Sequence, residues 1–184
     1  MPLKTVVKVG GITSLSDARY CAGMGVDLLG FCAIAGKVNY LSPAQYQEIR
    51  GWITGPKIIA EIYGMENQAQ LEAILTDYKP DLLELGPAEL KVLGNLPLPF
   101  ILSNPAGSSL PPLMQKPTYL LLKELTPGPS PYPCLLEVKS YEEVQRAFSA
   151  PYVTGIAMNG SPEIRPGLKE YDALADILEQ LEVE

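Results

Sequence analysis

Short apolar runs alternate with helical segments along almost the whole chain, and that alternation constrains the fold more than any other feature. Runs of strand length occupy Val6–Gly10, Asp27–Ile34, Lys57–Tyr63, Asp81–Leu85, Pro99–Ser103, Tyr119–Leu125, Cys134–Val138 and Val153–Met158. Helical segments fall between most of them. Ser16–Met24 is closed by Gly25, Ser42-Pro43 caps and opens the next, and Asn67–Tyr78 carries Leu71, Ile74 and Leu75 on one stripe. A short helix follows Pro87, Tyr141–Phe148 is clearly helical, and Tyr171–Leu181 is a terminal amphipathic helix. Apolar strands separated by helices imply a parallel sheet covered on its outer face. Eight such units close as a (β/α)₈ barrel, and an open doubly wound sheet is the alternative. The barrel is small, because the crossovers around strands five to seven are shortened. The link Thr126–Pro133 holds four prolines and is expected to run extended.

The first strand ends in Lys8-Val9-Gly10-Gly11-Ile12-Thr13, with Thr13 or Ser14 placed to cap the next helix. A lysine in a strand of this kind needs a partner if it points inward. At 184 residues the chain is read as one barrel domain. A net charge of −7 argues against nucleic acid as a partner. No apolar run reaches the length of a membrane span and no basic-then-apolar leader opens the chain, so a cytoplasmic protein without a membrane partner is expected. Cys21, Cys32 and Cys134 read as reduced, buried thiols. The absence of histidine removes the commonest general base and most zinc sites, so no metal or cofactor is expected.

The motif from Lys8 to Thr13, with Asp17-Ala18 after it, resembles the opening of the phosphoribosylanthranilate isomerases, where a cysteine stands at the place of Gly10. Gly25–Phe31, Tyr40–Pro43 and Pro80–Leu85 are similar to that family's next segments. Gly155-Ile-Ala-Met-Asn-Gly-Ser-Pro-Glu163 and Pro166–Lys169 are similar to its eighth strand and phosphate-side turn. The resemblance implies a closed barrel and an Amadori rearrangement in tryptophan synthesis, with a general base ending strand one and a general acid ending strand six. Here Gly10 stands at the base and Lys123 at the acid. The family's glycine pair after strand seven aligns with Glu137-Val138, and the aspartate inside strand eight with Ala157. General acid–base groups each contribute about 10²–10⁴-fold in rate, so these replacements imply loss of the ordinary isomerisation.

By alternation and the family frame, Lys8, Glu84 and Lys123 are expected to face the barrel mouth, which leaves several readings open. They form a salt-bridge plug, or substitute groups retain the isomerisation. Alternatively Lys123 is a Schiff-base nucleophile, as in class I aldolases, with Glu84 as proton shuttle. Finally, Lys8, Gly10, Gly11, Asn159, Gly160 and Ser161 bind a small phosphorylated metabolite without catalysis. Tyr40, Tyr63 and Tyr119 are placed where they could ring the mouth. Glu163, Arg165 and Lys169 read as a solvated cluster. The oligomeric state has no readable signature.

Overall fold

A computed structural model describes residues 3–104, 110, 112–126, 128–160, 163–165, 168–169 and 172–182. Eight parallel strands close into a barrel in sequence order: β1 (Val6–Gly10), β2 (Leu28–Cys32), β3 (Lys57–Glu61), β4 (Leu82–Leu85), β5 (Phe100–Ser103), β6 (Tyr119–Leu122), β7 (Cys134–Glu137) and β8 (Val153–Asn159). The ring is sealed by β1 against β8, from Val6 opposite Gly155 to Gly10 opposite Asn159. The helices are α1 (Leu15–Gly23), α2 (Pro43–Arg50), α3 (Gln68–Tyr78), α4 (Pro87–Leu93), α5 (Tyr141–Phe148) and α6 (Asp172–Leu181). Among the described residues no helix joins β5 to β6 or β6 to β7, as the proline content of those links implies.

Local sequence sets the helix ends. Ser14, Ser42, Asn67 and Ser140 are N-caps whose side chains accept from the backbone N–H three residues on, and Ser42 forms a full capping box with Gln45. At the opposite end of the barrel, two aspartates repeat one device. Asp27 Oδ2 accepts from Val7 N at 2.8 Å and Asp81 Oδ2 from Ile58 N at 2.7 Å, tying the start of β2 to β1 and of β4 to β3.

Strand alternation divides the apolar residues into two layers. One face of the ring, with Val7, Val9, Leu29, Phe31, Ile58 and Ala60 among others, packs under the helices. The other face fills the barrel interior with Leu28, Ile59, Leu82, Ile101, Leu121, Leu135 and Ala157. The interior is therefore a packed floor, and the polar inward residues lie above it.

Several elements differ from expectation in their bounds. β6 ends at Leu122, so Lys123 lies just past the strand. β8 runs on to Asn159. A small antiparallel pair, β9 (Glu163–Arg165) with β10 (Leu168–Lys169), occupies the segment read as an unstructured cluster. Its side chains, and Ser161 and Tyr171, lie outside the described residues.

Candidate functional site

The C-terminal ends of the strands surround a cavity of about 320 Å³. Parity predicts which side chains reach it: each inward residue two positions beyond the apolar floor points up into the mouth. Ile59 in the floor thus places Glu61 in the mouth. By the same step Leu82 places Glu84, Ile101 places Ser103, Leu135 places Glu137 and Ala157 places Asn159, all of which line the cavity.

Lys8 starts lower. Its Cα is level with Leu28 and Ala157, and its stem runs upward through the interior, leaving the residue 2% exposed. Its Nζ meets Glu84 Oε2 at 2.7 Å and lies 3.6 Å from Glu61 Oε1. Glu61 and Glu84 are direct neighbours across β3 and β4, a like-charge pairing that is unfavourable on its own. The ammonium arriving from the far side of the ring makes it tenable. The Tyr63 hydroxyl donates to Glu84 Oε1 at 2.9 Å.

Burial alone disfavours the Lys8 charge, yet the Glu84 and Glu61 carboxylates outweigh it and hold its pKa above the ordinary 10.5. Burial pushes Glu61 above its ordinary 4.5. Lys8 opposes that shift, and the Glu84 charge adds to it. Tyr63 is raised by burial and by Glu84, so it remains a phenol donating to the carboxylate.

Glycines make room for this arrangement. A Cβ on Gly10 would collide with the Glu61 carboxylate and lie 2.7 Å from Lys8 Nζ. A Cβ on Gly30 would collide with the same carboxylate and come within 3.1 Å of Gly10 Cα. Gly11 has φ +62° and donates its N–H to Glu61 Oε1 at 3.0 Å, with Oε2 at 3.3 Å. The volume above the end of β1 is thus occupied by a side chain from β3.

The structure brings together Lys8, Glu84, Tyr63 and Asn159 from the expected residues, sets Gly10 and Gly11 against Glu61, and adds Glu61, Ser103 and Glu137. Lys123 also borders the cavity but is exposed at its rim. Among the described residues the ion pairs are Lys8–Glu84, Lys8–Glu61 and Arg146–Glu142, so Lys123 faces the mouth as expected but stands outside the charge cluster. The cause is the early end of β6, which leaves this residue outside the ring. Lys123→Ala is accordingly expected to change stability by no more than about 0.5 kcal/mol in denaturant melts. The Gly160 N–H donates to Gly10 O at 2.7 Å, so it closes the β1–β8 seam and is not directed at a ligand. Of the tyrosines, Tyr63 reaches the mouth. Tyr119 packs against the interior floor, and Tyr40 lines a separate groove beside α2 and α3.

All three cysteines are free and buried, and burial pushes Cys21 up to about 12, which makes its thiol inert. Among the described residues no group of three His, Cys, Asp or Glu is disposed to hold a metal ion. No helix there is long and apolar enough to cross a membrane.

A closed ring of eight parallel strands, with polar residues gathered around a cavity at the strand C-termini, defines a (β/α)₈ barrel. Its fold is that of the phosphoribosylanthranilate isomerases. The isomerase structure from Thermus thermophilus superposes with a TM-score of 0.72 at 17% identity, covering 96% of this chain and 98% of that one. The structure from Thermotoga maritima gives 0.71 at 18% identity, with the same coverage of 96% and 98%. In sequence, the N-(5'-phosphoribosyl)anthranilate isomerase of Xanthomonas oryzae pv. oryzae is 25% identical over 108 residues, which is 58% of this chain and 48% of the relative. The chain thus spans about half the length of the curated relatives it matches. No family model matches the chain.

Proposed function

We propose that the chain is a phosphoribosylanthranilate isomerase-like barrel that binds a small polar metabolite at its mouth and does not perform the ordinary Amadori rearrangement. The observation that carries this is the end of β1. Where the resemblance implies a base, the chain has Gly10, and the Glu61 carboxylate fills the volume a side chain there would need. Where it implies an acid, the chain has the exposed Lys123. The ion cluster does not close the mouth, because about 320 Å³ remains above it, and this favours a binding site over a pure structural plug.

Charge bears on the ligand. The cavity lining carries Glu61, Glu84 and Glu137 against Lys8 and Lys123, and Lys8 is already engaged by two carboxylates. A phosphorylated ligand would have to keep its phosphate at the rim, near Lys123 and Asn159, because the carboxylates above the floor repel it. The Schiff-base reading loses support, since Lys123 lacks the apolar enclosure that activates a nucleophilic amine.

The test has two arms. Phosphoribosylanthranilate turnover, followed by anthranilate fluorescence on protein made in a host lacking the isomerase, is expected at background. Turnover well above it would overturn the proposal. Ligand-observed NMR with small hydroxy-carbonyl metabolites, with and without phosphate, is expected to show binding that Ser103→Trp abolishes by filling the cavity. Binding that survives this substitution in a folded protein would place the site elsewhere.

A further inference from the structure

One carboxylate in the mouth is built differently from the rest. Glu84 is fully engaged by Lys8 and Tyr63 and is 3% exposed. Glu61 is oriented by the Gly11 N–H, stands in space that Gly10 and Gly30 leave free on two adjacent strands, and keeps 12% of its side chain open to the cavity. A rigid, partly open carboxylate beside a buried ammonium is the pairing that removal of a proton next to a carbonyl requires. We infer that Glu61 is a proton-transfer group acting on a small substrate that carries a C–H adjacent to a carbonyl, with Lys8 facing the oxygen that becomes negative. The inference rests on the mouth being a binding site.

The step balances without an oxidant or a leaving group. Glu61 takes the proton from carbon, the C–H electron pair forms a carbon–carbon double bond, and the carbonyl π pair moves onto oxygen. Return of a proton from the Glu61 carboxyl to the same carbon restores the substrate. The minimal observable is therefore exchange of that hydrogen with solvent.

The groups facing Glu61 are Lys8 from β1, Cys32 from β2, Glu84 from β4 and Tyr63 beyond its own strand, with Lys123 and Glu137 across the cavity. Burial, opposed by Lys8 and reinforced by Glu84, places its proton affinity above that of an ordinary glutamate.

The test is deuterium incorporation from D₂O into dihydroxyacetone, glyceraldehyde and their monophosphates, read by proton NMR across pH. Saturation transfer in the same tubes reports binding. Protein-dependent exchange is expected, rising as pH climbs through a limb above the ordinary carboxylate range. Glu61→Gln is expected to lower it by about 100-fold or more, and Glu61→Asp to keep the limb at a reduced rate. Unchanged melting of the Gln variant excludes loss of fold as the cause. Equal exchange in wild type and Glu61→Gln, or probe binding without exchange, overturns the proton-transfer role and leaves the binding reading standing. Absence of binding by every probe overturns both for this ligand class.

Discussion

Lys8→Met is expected to lower stability by about 3–5 kcal/mol near neutral pH, because it leaves two neighbouring carboxylates buried without their cation. The methionine fills the volume of the lysine stem, so the loss reports charge and not packing. Glu84, whose ammonium partner lies at 2.7 Å, bears most of it. The cost should also depend on pH in a definite direction. Glu61 has a raised folded-state pKa, so the native protein binds its proton more tightly than the unfolded chain does, and stability falls as pH rises from about 4.5 through the raised value. Without Lys8 the influence that opposes the rise at Glu61 is gone, and that fall grows. Urea melts at pH 5 and pH 8 should therefore show a larger wild-type-to-variant gap at pH 8. A gap that is constant or reversed would mean the cluster is not electrostatically coupled. For the wild type, the raised pKa of Lys8 adds stability that is complete below 10.5 and disappears as pH rises past its folded value.

Gly155→Ala should be the most damaging of the glycine substitutions, at about 3 kcal/mol, toward the upper end of overpacking effects. A Cβ there would collide with the Val6 carbonyl oxygen, and it would lie 2.8 Å from Leu135 Cδ2 and 2.9 Å from Val6 Cβ. The Val6 obstacle is backbone at the β1–β8 seam, where Val6 pairs with Gly155, so no rotamer change relieves it. Gly51→Ala is the matched contrast. Gly51 caps α2 with φ −64°, its new Cβ would lie 3.7 Å from Gln47 O, and the substitution should stabilise by about 0.4–1 kcal/mol. Thermal unfolding of the two variants in parallel checks both signs, and equal losses would contradict the packing argument.

The barrel itself was readable because each strand and helix carries local signals: Ser42-Pro43 at the start of α2, Gly25 after α1, prolines where crossover helices are missing. The inward direction of Lys8 and Glu84 follows from alternation together with the family frame. Glu61 was not identified as the central group, although the same alternation, counted from Ile59, places it inward. Its importance depends on what lies opposite. Gly10, Gly30 and Glu61 meet only through the stagger of three strands, which no local pattern encodes. Lys123 sits at the rim and not in the charge cluster for the complementary reason. The leucine run of β6 suggests a strand extending to Leu125, but the chain leaves the ring after Leu122. The sequence around Gly160 suggests an anion-binding turn, but its N–H closes the β1–β8 seam, a pairing that depends on the closed ring.

Occupation of the space over Gly10 by a residue from another strand also limits the mutational routes open to this barrel. Any side chain introduced at position 10 meets the Glu61 carboxylate and the Lys8 ammonium at once. A thiol or carboxyl cannot be placed there by one substitution without disturbing the buried charges. Removing Glu61 first would leave a gap beneath the mouth and take from Lys8 one of its two counterions. Two changes must arrive together, or the weaker intermediate must be tolerated. The arrangement therefore locks the end of β1, where any new side chain is obstructed by groups reaching over from the strand's own lysine and from β3.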